Sequence, residues 1–266
     1  DRSITEQLVR RARRANFGAL VLTVDVPIAG NRVRDIRNGF RIPFRPSLLT
    51  LLNMVLHPGW LAGITRHGLP RFVNLTESPD AINSAMLGAA LLSREMDRGL
   101  VWESLSWLRH LWDLPLLLKG ILHPDDAQQA VRHGIDGLIV SNHGGRQFDA
   151  APSAITALTP VIDAVGDKFP VFVDSGFRSG TDIVKALALG ARAVFVGRPA
   201  IYGLASDGED GAKAVLNLLI AETVRSMILI GASGTSDINR HHVARTVFFE
   251  FTALARHISE AVRTED

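Results

Sequence analysis

The sequence predicts a parallel α/β fold, the C-terminal part of a TIM (β/α)8 barrel, on three observations. Short apolar runs recur, each followed by a helical pattern. The runs are nearly continuous rather than alternating, as parallel strands buried on both faces must be. Each of the last four ends in a turn that holds a chemically capable residue, and barrel enzymes carry their sites at such strand ends. A doubly wound sheet would gather function at one switch point, and the G-x-G-x-x-G turn it often uses for a dinucleotide is absent.

Taken in chain order, residues 3–15 have a helical pattern, with Arg10, Arg11, Arg13 and Arg14 expected on a solvated face. The first strand is ALVLTVD, 19–25. The segment 26–101 interrupts the alternation, opening with Pro27 and Gly30. From Ile36 to Thr76 it has no Asp or Glu, while Arg37, Arg41, Arg45, Arg66 and Arg71 are present. Such a stretch, about 36–80, suits a membrane interface, with peripheral contact through residues 41–71 and arginines on anionic headgroups. It suits equally a lid over the site or a segment packed on the barrel. The remaining strands are PLLLKG (115–120), GLIVSN (137–142), PVFVDSG (170–176) and AVFVGR (193–198). Between them HPDDAQQAVRHG (123–134) and SGTDIVKALALG (179–190) carry Asp near their starts and Gly at their ends, which is helix punctuation. Residues 208–231 read as a long outer helix, and 236–266 as a helical tail to a barrel portion spanning 1–235.

These five runs fall short of the eight that closure of a (β/α)8 barrel needs. An open sheet exposes two edges, which natural proteins avoid. With Asp1 rather than Met in first place, the expectation is an incomplete barrel of about five βα units, a fragment or a chain completed by other residues.

Composition bounds the function. The chain has 266 residues, 47% apolar, with no Cys, which excludes disorder, disulfide scaffolds and thiol chemistry. Twenty-nine basic against 27 acidic residues leave a formal charge of +2, which is no nucleic-acid footprint. The charged start lacks the apolar core of a signal peptide, and no run reaches the roughly 18–20 apolar residues of a spanning helix. His241 and His242 are adjacent, a spacing that does not make a metal pair on a helix, and no metal site is expected.

The most specific text is SNHGGRQFD, 141–149. Gly144 and Gly145 let the backbone turn tightly beside a ligand. His143 suits a general base near neutral pH, and the Arg146 guanidinium suits a bidentate grip on a carboxylate. The alternative for His143 is a hydrogen-bonded structural histidine. Asp25 can hold a protonated His143 or serve as a capping residue. No G-x-S-x-G nucleophile accompanies the pair, which disfavours ester hydrolysis. Lys119 suits a Schiff base, a phosphate ligand or a positive charge beside a cofactor that becomes anionic. VDSGFRSG (173–180) and VGRP (196–199) place Gly176, Arg178, Gly197 and Arg198 where a phosphate would rest on backbone amides and guanidiniums.

On these residues the chain resembles the FMN-dependent α-hydroxy-acid oxidases and dehydrogenases, from about residue 5 to about 235. HPGW, RHGLP, LLSREMD and WESLSWLRHLW look most like its bacterial mandelate dehydrogenase branch, in which the corresponding loop attaches to the inner membrane. The resemblance implies FMN as cofactor and oxidation of an (S)-2-hydroxy acid, mandelate- or lactate-like, to the 2-oxo acid. It implies that His143 removes a substrate proton, that Asp25 stabilises the imidazolium, and that Arg146 holds the carboxylate with help from Arg32. Lys119 would sit at the flavin N1 and O2 edge, and Thr23 and Ser141 would touch the isoalloxazine. Asp174 and Arg178 would bind the ribityl phosphate region, with Gly176, Gly197 and Arg198 at the phosphate. It further implies a homo-oligomer, a tetramer by resemblance, and a cytoplasmic protein peripheral on the inner membrane. The family's two active-site tyrosines have no counterpart, since the single Tyr202 follows the last strand. The rival readings are a non-catalytic flavin- or phosphate-binding fragment, a glycolate-oxidase-type enzyme that uses oxygen, and an aldolase built on Lys119.

Overall fold

The computed structural model describes residues 2–39, 46–68 and 98–244. Arg41, Arg45, Arg71, the 69–97 part of the insertion and the end of the tail therefore lie outside the described residues. Four strands form one parallel sheet in sequence order: β1 (Leu20–Thr23), β2 (Leu116–Ile121), β3 (Gly137–Val140) and β4 (Val171–Val173). The fifth expected run enters it only as a bridge between Val173 and Val194, with Phe195 donating its amide to Val173 O at 2.9 Å. That run lies at the sheet's outer edge and has a partner on one side only among the described residues, so its pairing is shorter than its composition suggests.

The helices are α1 (Arg2–Arg14), α2 (Val33–Arg37), α3 (Leu48–Val55), α4 (Pro58–His67), α5 (Ser104–Leu111), α6 (Pro124–Arg132), α7 (Ala154–Val165), α8 (Gly180–Ala188) and α9 (Arg198–Leu229). Ser153 and Ser179 cap α7 and α8 through their side chains, and Asp182 completes a capping box. The last helical segment is two helices joined at Asp207–Gly208, whose φ/ψ are not helical; the second runs on from this break, where the apolar pattern places its start, and the first was not expected. Pro199 lies in its first turn, where a missing N–H costs nothing, so the helix is free to begin at the end of the bridge segment.

The core lies between the sheet and the helices behind it. Every residue of β3 is buried, and Leu116, Leu118, Val171 and Val173 pack there with Trp112, Leu158 and Val161. β1, at the other edge, alternates half-buried and exposed residues, with Val21 44% exposed. Two arginines tie the loops to this core. Arg13, exposed as expected, also reaches Asp113 at 2.7 Å and Leu111 O at 3.0 Å, joining α1 to the end of α5. Arg109 binds Asp136 at 2.6 Å, and Asp136 also accepts the Leu116 amide at 2.8 Å. Partial burial works against the Asp136 carboxylate, but that amide and the guanidinium outweigh it and hold its pKa below the ordinary carboxylate value.

Within the described part of the insertion, α3 and α4 together are apolar and meet at a 94° bend. Neither buries a residue: Leu48 is 74%, Leu49 78% and Leu56 76% exposed. No single described helix is long and apolar enough to cross a membrane.

Candidate active site

In a parallel sheet all C-terminal strand ends lie on one rim, so the turns after β1 to β4 are neighbours although up to about 150 positions apart in sequence. Asp25 follows β1, Lys119 ends the regular part of β2, Ser141 follows β3 and Asp174 follows β4. The β2 register slips between Lys119 and Ile121, at Gly120, whose φ is 108°. The slip makes room for Asp25: a Cβ on Gly120 would lie 2.7 Å from the Asp25 Cβ and 2.8 Å from its Cγ. Only glycine meets both demands.

Across that gap His143 Nδ1 lies 3.3 Å from Asp25 Oδ1. The Asp25 side chain is 15% exposed, and its Oδ2 is buried with no hydrogen-bond partner. His143 opens a 3-10 turn, His143–Gly145, in which all three residues have positive φ. Gly144, at φ 65°, has the left-handed backbone that glycine adopts freely, and its carbonyl oxygen accepts Arg198 Nη2 at 2.9 Å. Arg146 caps the turn and is exposed. His143 and Arg146 thus rise from one short turn, as their spacing predicts.

Arg32 sits in the neighbouring loop, half-exposed and 4.0 Å from Asp35. That loop is fastened to the His143 turn by Gln147, whose Oε1 accepts the Gly30 amide at 3.1 Å and whose Nε2 donates to Ile28 O at 3.1 Å. Sequence reasoning missed Gln147; an amide side chain able to bridge two backbones was the available signal. Thr23 is exposed at the end of β1, in register with Lys119. Lys119 Nζ binds Asp174 Oδ2 at 2.9 Å and Ser141 Oγ at 2.7 Å, and Ser141 is fully buried. Asp174, expected at a ribityl phosphate, therefore also anchors Lys119.

Gly176 and Gly197 have no atom within 4 Å of where a Cβ would stand, and both are exposed. The Arg178 side chain is exposed beside them in sequence, while its amide donates to Asp182. Two open glycine backbones at adjacent strand ends, with free guanidinium character nearby, suit a phosphate monoester. A cationic lysine on the same rim suits the anionic end of a reduced flavin. The residues present fit the phosphate and ring edge of FMN.

A family model described as FMN-dependent dehydrogenase matches residues 1–245. The chain belongs to this family. Among FMN-dependent dehydrogenases it is 44% identical over 238 residues to (S)-mandelate dehydrogenase of Pseudomonas putida, covering 90% of this chain and 60% of that protein. It is 41% identical over 244 residues to glycolate oxidase of Spinacia oleracea, covering 92% of this chain and 60% of that one. The crystal structure of the monotopic membrane protein (S)-mandelate dehydrogenase superposes with a TM-score of 0.88 at 43% identity, covering 92% of this chain and 65% of that chain. The chain thus spans about 60% of the length of the curated relatives it matches. The four-stranded parallel sheet is part of the FMN-dependent dehydrogenase barrel.

Proposed function

We propose that this chain carries the proton acceptor, the carboxylate clamp and the cofactor-phosphate end of an enzyme that oxidises (S)-2-hydroxy acids to 2-oxo acids with FMN. The observation that carries the reading is the His143–Asp25 contact on the same rim, and in the same turn, as Arg146. With Nδ1 turned to Asp25, Nε2 is the nitrogen left to take a proton from the substrate. The Asp25 carboxylate then offsets the imidazolium charge and fixes the ring's orientation. Arg146, with Arg32, holds the substrate carboxylate by paired N–H donors and so places the α-carbon against the base. FMN, when bound, takes up the electron pair removed from the substrate. Gly176, Arg178, Gly197 and Arg198 would hold its phosphate, Asp174 its ribityl end, and Thr23, Lys119 and Ser141 its ring.

The test is optical. FMN-loaded protein is yellow, and anaerobic (S)-mandelate or L-lactate bleaches it. Colour that persists with both acids rejects the reading.

The exposed apolar faces of α3 and α4, with Arg66 in the last turn of α4, support peripheral attachment to an anionic bilayer, the cytoplasmic leaflet of the inner membrane in this reading. The relative whose structure is described as a monotopic membrane protein supports it as well. Replacing Leu48, Leu49 and Leu56 together with Ser is expected to abolish co-flotation with phosphatidylglycerol vesicles while leaving bleaching by mandelate intact. Flotation equal to that of the parent protein removes these helices from the contact.

A further inference from the structure

We propose that Ser175 is a positioning residue for the proton acceptor: its hydroxyl clamps the backbone amides on both sides of His143 and ties them to the Lys119–Asp174 ion pair. The proposal rests on the functional reading above.

Ser175 has φ 79°, a conformation in which the Cβ of an L residue is crowded. Glycine adopts it freely, and the next residue, Gly176, does so at φ 89°. A turn whose only task was to reverse the chain would be better served by glycine at both places. What glycine lacks is the hydroxyl, and here every valence of that hydroxyl is used. Ser175 Oγ accepts the Asn142 amide at 3.3 Å and the Gly144 amide at 2.9 Å, and it donates to Asp174 Oδ1 at 2.8 Å. The other Asp174 oxygen receives Lys119 Nζ at 2.9 Å. Lys119 also donates to Ser141 Oγ, which accepts the His143 amide at 3.1 Å. Three successive amides, 142 to 144, therefore end on two serine hydroxyls, and one lysine–aspartate pair holds both hydroxyls.

This clamp governs the imidazole because little else does. His143 has φ 57° and needs its turn held from outside. Its contact with Asp25, at 3.3 Å, is at the long end of the hydrogen-bond range, and the other Asp25 oxygen is unpartnered. The ring's place is set mainly by the backbone beneath it, and a small misplacement of a proton acceptor slows the chemical step steeply.

The experiment uses the FMN-loaded protein and two variants, S175G and S175A. Glycine relieves the backbone and alanine does not, so a purely conformational role separates the two variants, whereas loss of the clamp affects them alike. Expected are a fall of about 10- to 100-fold in the single-turnover rate of flavin reduction at saturating (S)-mandelate in both variants, and an unchanged dissociation constant for FMN. Amide exchange, followed by NMR, should accelerate at Asn142 and Gly144 but not at His143, whose partner is Ser141. A parental reduction rate in S175G overturns the proposal. So does a defect confined to FMN affinity, which would assign the hydroxyl to the neighbouring phosphate site. If the parent protein is not bleached by the acid, the functional reading fails by itself, and unchanged exchange at 142 and 144 then overturns the clamp separately.

Discussion

Replacing His143 with Ala is expected to lower the rate at which (S)-mandelate reduces the flavin by about 10²–10⁴-fold, the usual contribution of a positioned general base. FMN remains bound in this variant. The proposed phosphate site, Gly176, Arg178 and Gly197, lies at the ends of β4 and of the bridge segment and shares no residue with the His143–Asp25 contact. The loss is thus in the chemical step and shows as a slow single-turnover trace on a normal absorption spectrum. Asp25 gives the internal check. Its Oδ2 is already buried without a partner, so removing the imidazole leaves both carboxylate oxygens bare, and His143→Ala is expected to lower the melting temperature as well. Retained reduction would remove His143 from its role.

The second large effect is at Arg146. Charge-assisted hydrogen bonds contribute about 1.5–3 kcal/mol, so Arg146→Met is expected to raise the substrate concentration needed for half-maximal reduction by about 10- to 100-fold. Carboxylate inhibitors should weaken in step, because they meet the same guanidinium. Arg146→Lys restores charge without the planar fork and is expected to recover only part of the affinity. Because Arg146 is exposed at the end of its turn, neither change disturbs the core, and the melting temperature is the control. Unchanged affinity in the Met variant rejects the clamp.

Much of this arrangement was legible in the sequence. The runs 115–120, 137–142 and 170–176 each became a strand within a few residues of its expected ends; β3 is buried throughout, as a continuous apolar run implies, while β2 and β4 also carry half-buried residues. The turn in SNHGGRQFD was legible because a tight turn in positive φ favours glycines, and Gly144 and Gly145 both adopt it. Less legible was whatever depended on a remote partner. The run 193–198 has the composition of a strand but only a bridge for pairing, and the helical piece from Arg198 to the break at Asp207–Gly208 was not expected. Gln147 and Ser175 look unremarkable in the text, since their meaning lies in backbone groups more than 25 residues away.

By itself the sequence determined the class of the fold, the order of its strands and the chemical kinds of group at the rim, because each follows from local composition and spacing. Only the tertiary structure decided that Asp25 meets His143 through a gap opened by Gly120, that Lys119 is held between Asp174 and Ser141, and that two serine hydroxyls carry the His143 turn. The physical reason is that hydrogen bonds and close approaches between strand ends depend on sheet register and backbone direction. Those are settled by the packing of the whole sheet, and no short stretch of residues encodes them.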